Sequence, residues 1–189
     1  MPPKVKITKD DIISATVDIV RKNGENGINA RTVASELGCS TQPIFSNFET
    51  MEKLQEAVEI SIYNLYLSFL QKEAASGKYP QYKSFGMAYI RFAEEEPELF
   101  KFIFMCDRKG EKFKPTFDFE TSVEMIMQAN GICKEKAELI HTEMWIFVHG
   151  IATMLATSYL TLPWDLISNM LTDIYQGLRM SHLQGGKDK

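Results

Sequence analysis

The chain has 189 residues, 44% of them hydrophobic, and a formal net charge of −4. These values allow one or two packed domains, exclude wholesale disorder, and differ from the strongly basic balance of many dedicated nucleic-acid binders. Its three cysteines are odd in number and lack CxxC spacing, which disfavours a disulfide framework or a zinc cluster and fits a reducing cytosol.

The first predicted helix begins after Thr8. Thr8 and Asp11 have the spacing Ser/Thr-x-x-Asp/Glu, which is the start signal of a capping box. Apolar residues at helical spacing follow until Gly24, which is expected to end the helix as a left-handed C-cap. A loop over 25–29 then leads to a short second helix at about 30–37.

The third predicted helix follows Gly38, is capped by Ser40 or Thr41, and tolerates Pro43 because that residue lies in its first turn. Two short helices joined by a glycine turn are typical of a helix-turn-helix, whose second helix enters the major groove of DNA. Thr41, Gln42 and Pro43 are the predicted base contacts, and the amide of Gln42 suits adenine. The alternative interpretation is an ordinary hairpin of a helical bundle. Predicted phosphate contacts come from Arg31, Thr32, Ser46, Asn47 and Lys53.

The remaining segments also have helical periodicity, and no window shows the alternation of a strand. Helices are predicted at about 50–76, 81–95, 97–106, 116–129, 134–160 and 164–182. We therefore expect an all-α chain, with a three-helix DNA-binding domain over residues 1–60 joined to a larger helical domain over 61–189. The long helix at about 50–76 is shared by the two domains.

The charge is distributed unevenly along the chain. Residues 1–53 have seven Lys/Arg and seven Asp/Glu, so the acidic excess lies beyond the predicted helix-turn-helix. The most apolar segment, 144–162, contains His149, Gly150 and several hydroxyl residues, which favours a buried helix over a membrane span. Because the N-terminal segment also lacks the pattern of a signal peptide, we expect a cytoplasmic protein with no membrane partner.

Several motifs together resemble one known family. ARTVASELGCS, followed by I-F-x-x-F and an E-K-L helix start, resembles the DNA-binding domain of the TetR (tetracycline-repressor) family over about Lys6 to Tyr66. WIFVHG at Trp145–Gly150 resembles the W-x-x-x-H-G signature of a later helix in that family. At the positions of Phe45 and Met51 the family usually has a tyrosine and a lysine, and both of those residues commonly contact phosphates. Phe45 is also a predicted DNA-binding residue of this chain.

The resemblance implies that the larger domain senses a ligand and forms a homodimer through its last two helices, which would then read a palindromic operator. Both helices are apolar over more than one stripe, as such an interface requires. Gly150, Ala152 and Ala156 would let another helix approach closely, either from the partner or from the same chain. The predicted dimer interface consists of Phe147, Ile151, Leu155, Ile167, Leu171, Ile174 and Leu178.

The resemblance also implies an apolar small-molecule effector among the middle helices. Ten methionines and 11% aromatic residues suit an adaptable cavity, although the same stripes are equally typical of a hydrophobic core. Bound ligand would shift the dimer between two separations of its recognition helices. The predicted ligand contacts are Phe85, Tyr89, Phe92, Phe104, Phe117, Met125, Trp145 and Met154.

Enzyme and metal chemistry are disfavoured by the sequence. Glu138 and His141 have the E-x-x-H spacing of a di-iron bundle, but the chain lacks a second such pair, so no metal or other cofactor is expected. His141 is expected on a helix surface, and His149 as a hydrogen-bonded core residue. Without a phosphate-binding glycine loop or a Ser-His-Asp order, no catalytic residue is predicted.

We interpret the chain as a TetR-type DNA-binding transcriptional regulator, a repressor that a small molecule releases. The alternative is a helical small-molecule-binding adaptor with a degenerate helix-turn-helix, which Phe45, Met51 and the neutral N-terminal segment favour slightly. Specific binding to an inverted repeat with a steep salt dependence would distinguish the regulator from the adaptor.

Overall fold

The computed structural model describes residues 7–106 and 119–184, with side chains up to residue 182. Over these ranges the chain is all-helical, as predicted, and contains no strand. A short 3-10 turn at Glu25–Gly27 lies in the predicted loop after the first helix. The α-helices of the described ranges are α1 (Lys9–Asn23), α2 (Ala30–Glu36), α3 (Gln42–Asn47), α4 (Met51–Ala75), α5 (Gln81–Glu95), α6 (Pro97–Phe104), α7 (Phe119–Asn130), α8 (Lys134–Ala156) and α9 (Trp164–Gln184).

The chain forms two compact units. The first unit contains α1 to α3, the part of α4 up to Ser68, and α6. The second contains the rest of α4 from Phe69, α5 up to Glu94, and α7 to α9. α6 thus belongs to the unit of the three N-terminal helices although α5 precedes it in the chain.

The first unit is organised around α1, whose start confirms the predicted capping box. The backbone N–H of Asp11 donates to Thr8 Oγ1 at 3.1 Å, and Asp11 Oδ2 accepts from the Thr8 backbone N–H at 2.8 Å. The Thr8 backbone N–H and the Thr8 hydroxyl, which donates at 2.7 Å, both bond to the Asp11 carboxylate, and these two bonds hold the pKa of Asp11 below its ordinary value. α1 ends at Gly24 as predicted, although with φ 68° and ψ −172°, a conformation outside the left-handed helical region. The core of this unit includes Ile12, Val20, Val33, Ile44, Leu54, Leu99 and Phe100.

In the second unit α8 packs against both α7 and α9. α8 ends at Ala156, four residues before the sequence-based expectation, because Ser158 adopts φ 55° and reverses the chain. The Tyr159 N–H donates to Met154 O at 3.0 Å and the Ser158 N–H donates to Leu155 O at 2.9 Å, the two bonds of a Schellman motif. The expectation that His141 lies at the surface was wrong, because Phe119 of α7 and Tyr82 of α5 pack against its ring and it is only 7% exposed.

α8 has the length and apolar composition that would allow a helix to cross a membrane. Its buried face packs into the core of the second unit, with Ile140, Met144, Ile151 and Ala152 among the buried residues. The same length and composition are common in the core helices of soluble proteins. One face of α8 is therefore buried, as predicted, whereas Trp145, Ile146 and Met154 of the same helix are exposed.

Candidate nucleic-acid interface

The turn between α2 and α3 is a Schellman motif centred on Gly38. The Cys39 N–H donates to Ala34 O at 2.9 Å, and the Gly38 N–H donates to Ser35 O at 3.1 Å. Gly38 has φ 61°, and a Cβ added there would meet no atom within 4 Å. Glycine is therefore favoured by the backbone conformation and not by a lack of space. The predicted end of α2 at Gly38 is confirmed.

α3 is anchored by one buried side chain and presents the others outward. Ile44 is fully buried, whereas Gln42 and Ser46 are exposed and Phe45 is 50% exposed. Thr41 and Pro43 are half-buried at the start of the helix. The predicted base contacts thus lie together at the N-terminal end of α3, with the amide of Gln42 accessible to a groove.

Three of the predicted phosphate contacts have side chains that already bond to nearby backbone. Thr32 Oγ1 donates to Gly27 O at 2.6 Å, and it also accepts from the Asn29 backbone N–H at 3.2 Å in the capping box that starts α2. Ser46 Oγ donates to Gln42 O at 2.9 Å and Asn47 Nδ2 donates to Pro43 O at 2.8 Å. These side chains stabilise the two short helices, and a phosphate would have to compete for their donors.

The cations near α2 and α3 differ in their partners. Arg31 is exposed, and within the described ranges no carboxylate lies at ion-pair distance from it. Lys53 forms an ion pair with Glu56, whose hydrogen bond raises the pKa of Lys53. Lys9 stands 5.4 Å from the centre of the Phe48 ring. Arg31 is consequently the predicted phosphate contact whose charge is least neutralised by the protein itself.

The predicted ligand contacts are only partly brought together. Phe92 and Tyr89 are buried in the second unit, where Tyr89 Oη lies 2.9 Å from His149 Nδ1. Trp145 stacks on His149 at 5.3 Å, and burial lowers the pKa of that histidine. Phe85 and Met125 are half-buried, and Met154 is exposed. Phe104 lies in the first unit against Tyr66, and Phe117 lies outside the described residues.

The predicted dimer residues divide into a buried and an outer group. Ile151, Leu155, Ile167 and Leu171 pack inside the chain and have little surface to offer a partner. Ile174 is exposed, and Phe147 and Leu178 are half-buried. Sequence reasoning missed several exposed apolar residues of α8 and α9, although each helix has a second apolar stripe that could have revealed them. These residues are Leu139, Ile146, Leu166 and Met180.

Gly150 lies in the middle of α8 with open space around it. A Cβ built there meets no atom within 4 Å, so packing inside this chain does not require a glycine. Glycine in a helix interior costs roughly 1 kcal/mol relative to alanine. Of the two roles considered for this small residue, tight packing inside the chain therefore finds no support in the geometry.

Comparison with known proteins gives one family match. Residues 82–173 match the family described as tetracyclin repressor-like, C-terminal domain. No curated protein matches the chain.

Several solved structures have a similar fold. A protein of unknown function from Rhodococcus sp. RHA1 has a TM-score of 0.72 at 18% identity, with 93% of this chain and 97% of that chain covered. A protein from Vibrio parahaemolyticus assigned as a TetR-family transcriptional regulator has a TM-score of 0.64 at 14% identity, with 88% and 96% covered. A TetR-like transcriptional regulator from Rhodococcus sp. RHA1 has a TM-score of 0.57 at 13% identity, with both chains fully covered at 100%. At these identities the likeness concerns the fold.

Proposed function

The chain belongs to the TetR family of transcriptional regulators, and on that premise we propose that it binds a palindromic operator as a homodimer and leaves it when a small molecule binds. The observation that carries the DNA-binding part is the geometry of α3. Ile44 is buried beneath the helix while Gln42 and Phe45 remain exposed at its outer side. A helix anchored in this way can enter a major groove without unfolding the unit that carries it.

The electrostatics agree with a modest number of phosphate contacts. The N-terminal segment is neutral overall, and Lys22 and Lys53 are each paired with a glutamate. Arg31 can bind a phosphate without first breaking an ion pair of the described residues. Lys53 would have to leave Glu56 before it could bind a phosphate. We expect binding whose affinity falls with salt, with a slope set by a few contacts per half-site.

We assign dimerisation to the outer faces of α8 and α9. Ile146 on α8 is 60% exposed, and Leu166 and Ile174 on α9 are exposed as well. Gly150 supplies a gap on the same helix as Ile146, into which a side chain of a second copy can fit. Large apolar side chains beside a small residue are a common arrangement for the close packing of two helices. Two copies joined in this way would present two α3 helices to one duplex.

We assign the binding site of the effector to the second unit. Tyr89, His149 and Trp145 form a hydrogen-bonded aromatic cluster on α5 and α8, which can offer both ring surface and a polar group to a ligand. An apolar or aromatic molecule with one hydrogen-bonding group suits this chemistry. The repressor role follows if that ligand stabilises a dimer conformation that binds the operator less tightly. The free cysteines in the described ranges suit the cytoplasm, where we place the protein.

The proposal is tested by selecting duplexes from a randomised library with the full-length protein and measuring the affinity of the selected sequence over a salt series. An inverted repeat bound with a steep salt dependence is the expected result. Weak binding that is indifferent to sequence would instead support the adaptor with a degenerate helix-turn-helix. Adding candidate aromatic ligands to the complex then tests release.

A further inference from the structure

The dipeptide Asn-Gly occurs three times in the chain, at Asn23-Gly24, Asn26-Gly27 and Asn130-Gly131. In this dipeptide the asparagine amide is unusually prone to spontaneous loss, because glycine has no side chain that would keep its own backbone nitrogen away from the asparagine. Asparagine is accordingly one of the residues that heat-stable proteins use sparingly. The reactivity of each site depends on how firmly the structure holds the glycine N–H and the asparagine side chain.

The Asn23-Gly24 site is held by the end of α1. Gly24 is buried, and its backbone N–H donates to Val20 O at 2.8 Å. A Cβ built on Gly24 would lie 3.0 Å from Glu98 Oε2 on α6, so the peptide is also covered from that side. The Gly24 nitrogen can react only when this end of α1 opens.

The Asn130-Gly131 site is held at both of its reacting groups. The Gly131 N–H donates to Met127 O at 2.8 Å at the end of α7. Asn130 Nδ2 donates to Ile126 O at 2.8 Å and to Tyr175 Oη at 2.9 Å. These bonds fix the asparagine side chain away from the glycine nitrogen, so this site is protected as well.

The Asn26-Gly27 site differs from the other two. Asn26 is exposed and lies in the 3-10 turn Glu25–Gly27, a single turn whose Gly27 N–H donates to Gly24 O at 3.2 Å. Short 3-10 turns have poorer hydrogen-bond geometry than α-helices and open more easily. We propose that Asn26 is a site of spontaneous deamidation, where the amide becomes aspartate or isoaspartate faster than at Asn23 or Asn130. This inference does not depend on the proposed function.

The reaction needs only water and the chain itself. The Gly27 backbone nitrogen attacks Asn26 Cγ, a bond forms between these two atoms, and the bond from Cγ to Nδ2 breaks. The side-chain nitrogen leaves as ammonia and takes the proton of the Gly27 amide. Water then opens the cyclic imide at one of its two carbonyl groups, which gives either aspartate or isoaspartate.

Isoaspartate at position 26 should disturb the start of α2. A Cβ built on Gly27 would lie 2.8 Å from Asn23 Cβ and 3.1 Å from Ile19 Cγ2, so Gly27 has no room to move towards α1. Gly27 O also accepts the 2.6 Å hydrogen bond from Thr32 Oγ1. Because isoaspartate adds a carbon atom to the main chain just before Gly27, we expect this bond to be lost. Aspartate leaves the length of the main chain unchanged and should not disturb it.

The first test follows deamidation in the full-length protein at mildly alkaline pH, folded and in concentrated guanidinium chloride. A brief tryptic digest cuts after Lys22 and Arg31 and leaves Asn23 and Asn26 in one peptide, in which mass spectrometry locates the modified residue. In the folded protein Asn26 should react on the order of tenfold faster than Asn23 or Asn130. In guanidinium chloride the three rates should agree within about threefold, because no helix end protects any site. Rate ratios no larger in the folded protein than in guanidinium chloride would overturn the proposal, as would an Asn26 that reacts only when the chain is unfolded.

The second test measures the consequence for stability. Aged wild-type protein should unfold at a lower guanidinium chloride concentration than aged Asn26→Gln, which keeps an amide but forms the larger imide ring much more slowly. Freshly prepared Asn26→Asp is the control for the added charge, and it should unfold at the same concentration as fresh wild type. Equal midpoints of the two aged proteins, with isoaspartate present at position 26 of the wild type, would overturn the predicted effect on α2. A lowered midpoint in fresh Asn26→Asp would show that the charge, and not the longer main chain, destabilises this turn, and would overturn it too.

Discussion

The backbone N–H of Cys39 donates a 2.9 Å hydrogen bond to the carbonyl oxygen of Ala34 across the turn that separates α2 from α3. This bond closes only because Gly38, between them, adopts φ 61°. It sets the direction in which the chain leaves α2, and so the side of the first unit on which Gln42 is exposed.

We expect Gly38→Ala to destabilise the protein by about 1 kcal/mol, because alanine is strained at positive φ although space for its methyl group is available. Gly38→Asn should cost less, since asparagine tolerates this region better. Chemical denaturation followed by circular dichroism measures both. Equal stability of the alanine variant and wild type would show that the turn has a different conformation in solution.

Gln42→Ala should abolish the preference at one base pair of each half-site, at a cost of about 1–3 kcal/mol on the preferred sequence, because a bidentate base contact is lost. Arg31→Ala is the matched contrast. Arg31→Ala should weaken binding to all sequences alike, since it removes a phosphate contact. The slope of the logarithm of affinity against the logarithm of salt concentration should fall by about one unit per half-site. Titrations on a set of single-base variants measure both. A Gln42→Ala protein with the wild-type base preference would show that another residue reads this base.

Ile146→Glu should shift the proposed homodimer towards the monomer, because a charge would be buried at the candidate interface without a partner. The dimer dissociation constant should rise by about 100-fold, measured by sedimentation velocity over a concentration series. Ile60→Glu on α4 provides the control, since Ile60 is similarly exposed but lies in the first unit. A dimer that survives Ile146→Glu would place the interface elsewhere.

Ser158→Gly should stabilise the protein by about 1 kcal/mol, because Ser158 adopts φ 55° at the end of α8 and glycine does so without strain. Ser158→Ala keeps the strain and serves as the control. The midpoint of urea unfolding measures the difference between the two variants. If both variants had the same midpoint, the left-handed end of α8 would be in doubt.

His149 should make the protein less stable in mild acid. Burial lowers its pKa from 6.5, so below about pH 6.5 the unfolded chain binds a proton that the folded chain does not. This loss of stability begins as the pH falls through 6.5 and is complete below the folded-state pKa. His149→Gln should lose stability less steeply than wild type between pH 7.5 and 5, in denaturation at several pH values. If the stability of the two proteins fell equally with pH, a lowered pKa of His149 in the folded protein would be refuted.

Local features of the fold were predictable from the sequence because their hydrogen bonds join residues close in the chain. The capping box of Thr8 and Asp11 spans three residues, and the turn at Gly38 is closed by bonds within the same few residues. The helix-turn-helix and the all-helical fold class follow from such signals together with helical periodicity. The end of α8 was misplaced, because a serine at positive φ carries no comparable signal.

The tertiary structure decided which of two apolar stripes faces inward on α8 and α9. Ile151 and Ile167 are buried in the chain, whereas Ile146 and Ile174 are exposed, and the four side chains have the same hydrophobicity. Hydrophobic burial is non-directional. A pattern of apolar residues therefore predicts that they will be buried, but not whether they pack against the same chain or against a partner. The same reason explains why neither the burial of His141 nor the inclusion of α6 in the first unit was apparent. Both depend on contacts between helices distant in the chain, which local periodicity does not encode.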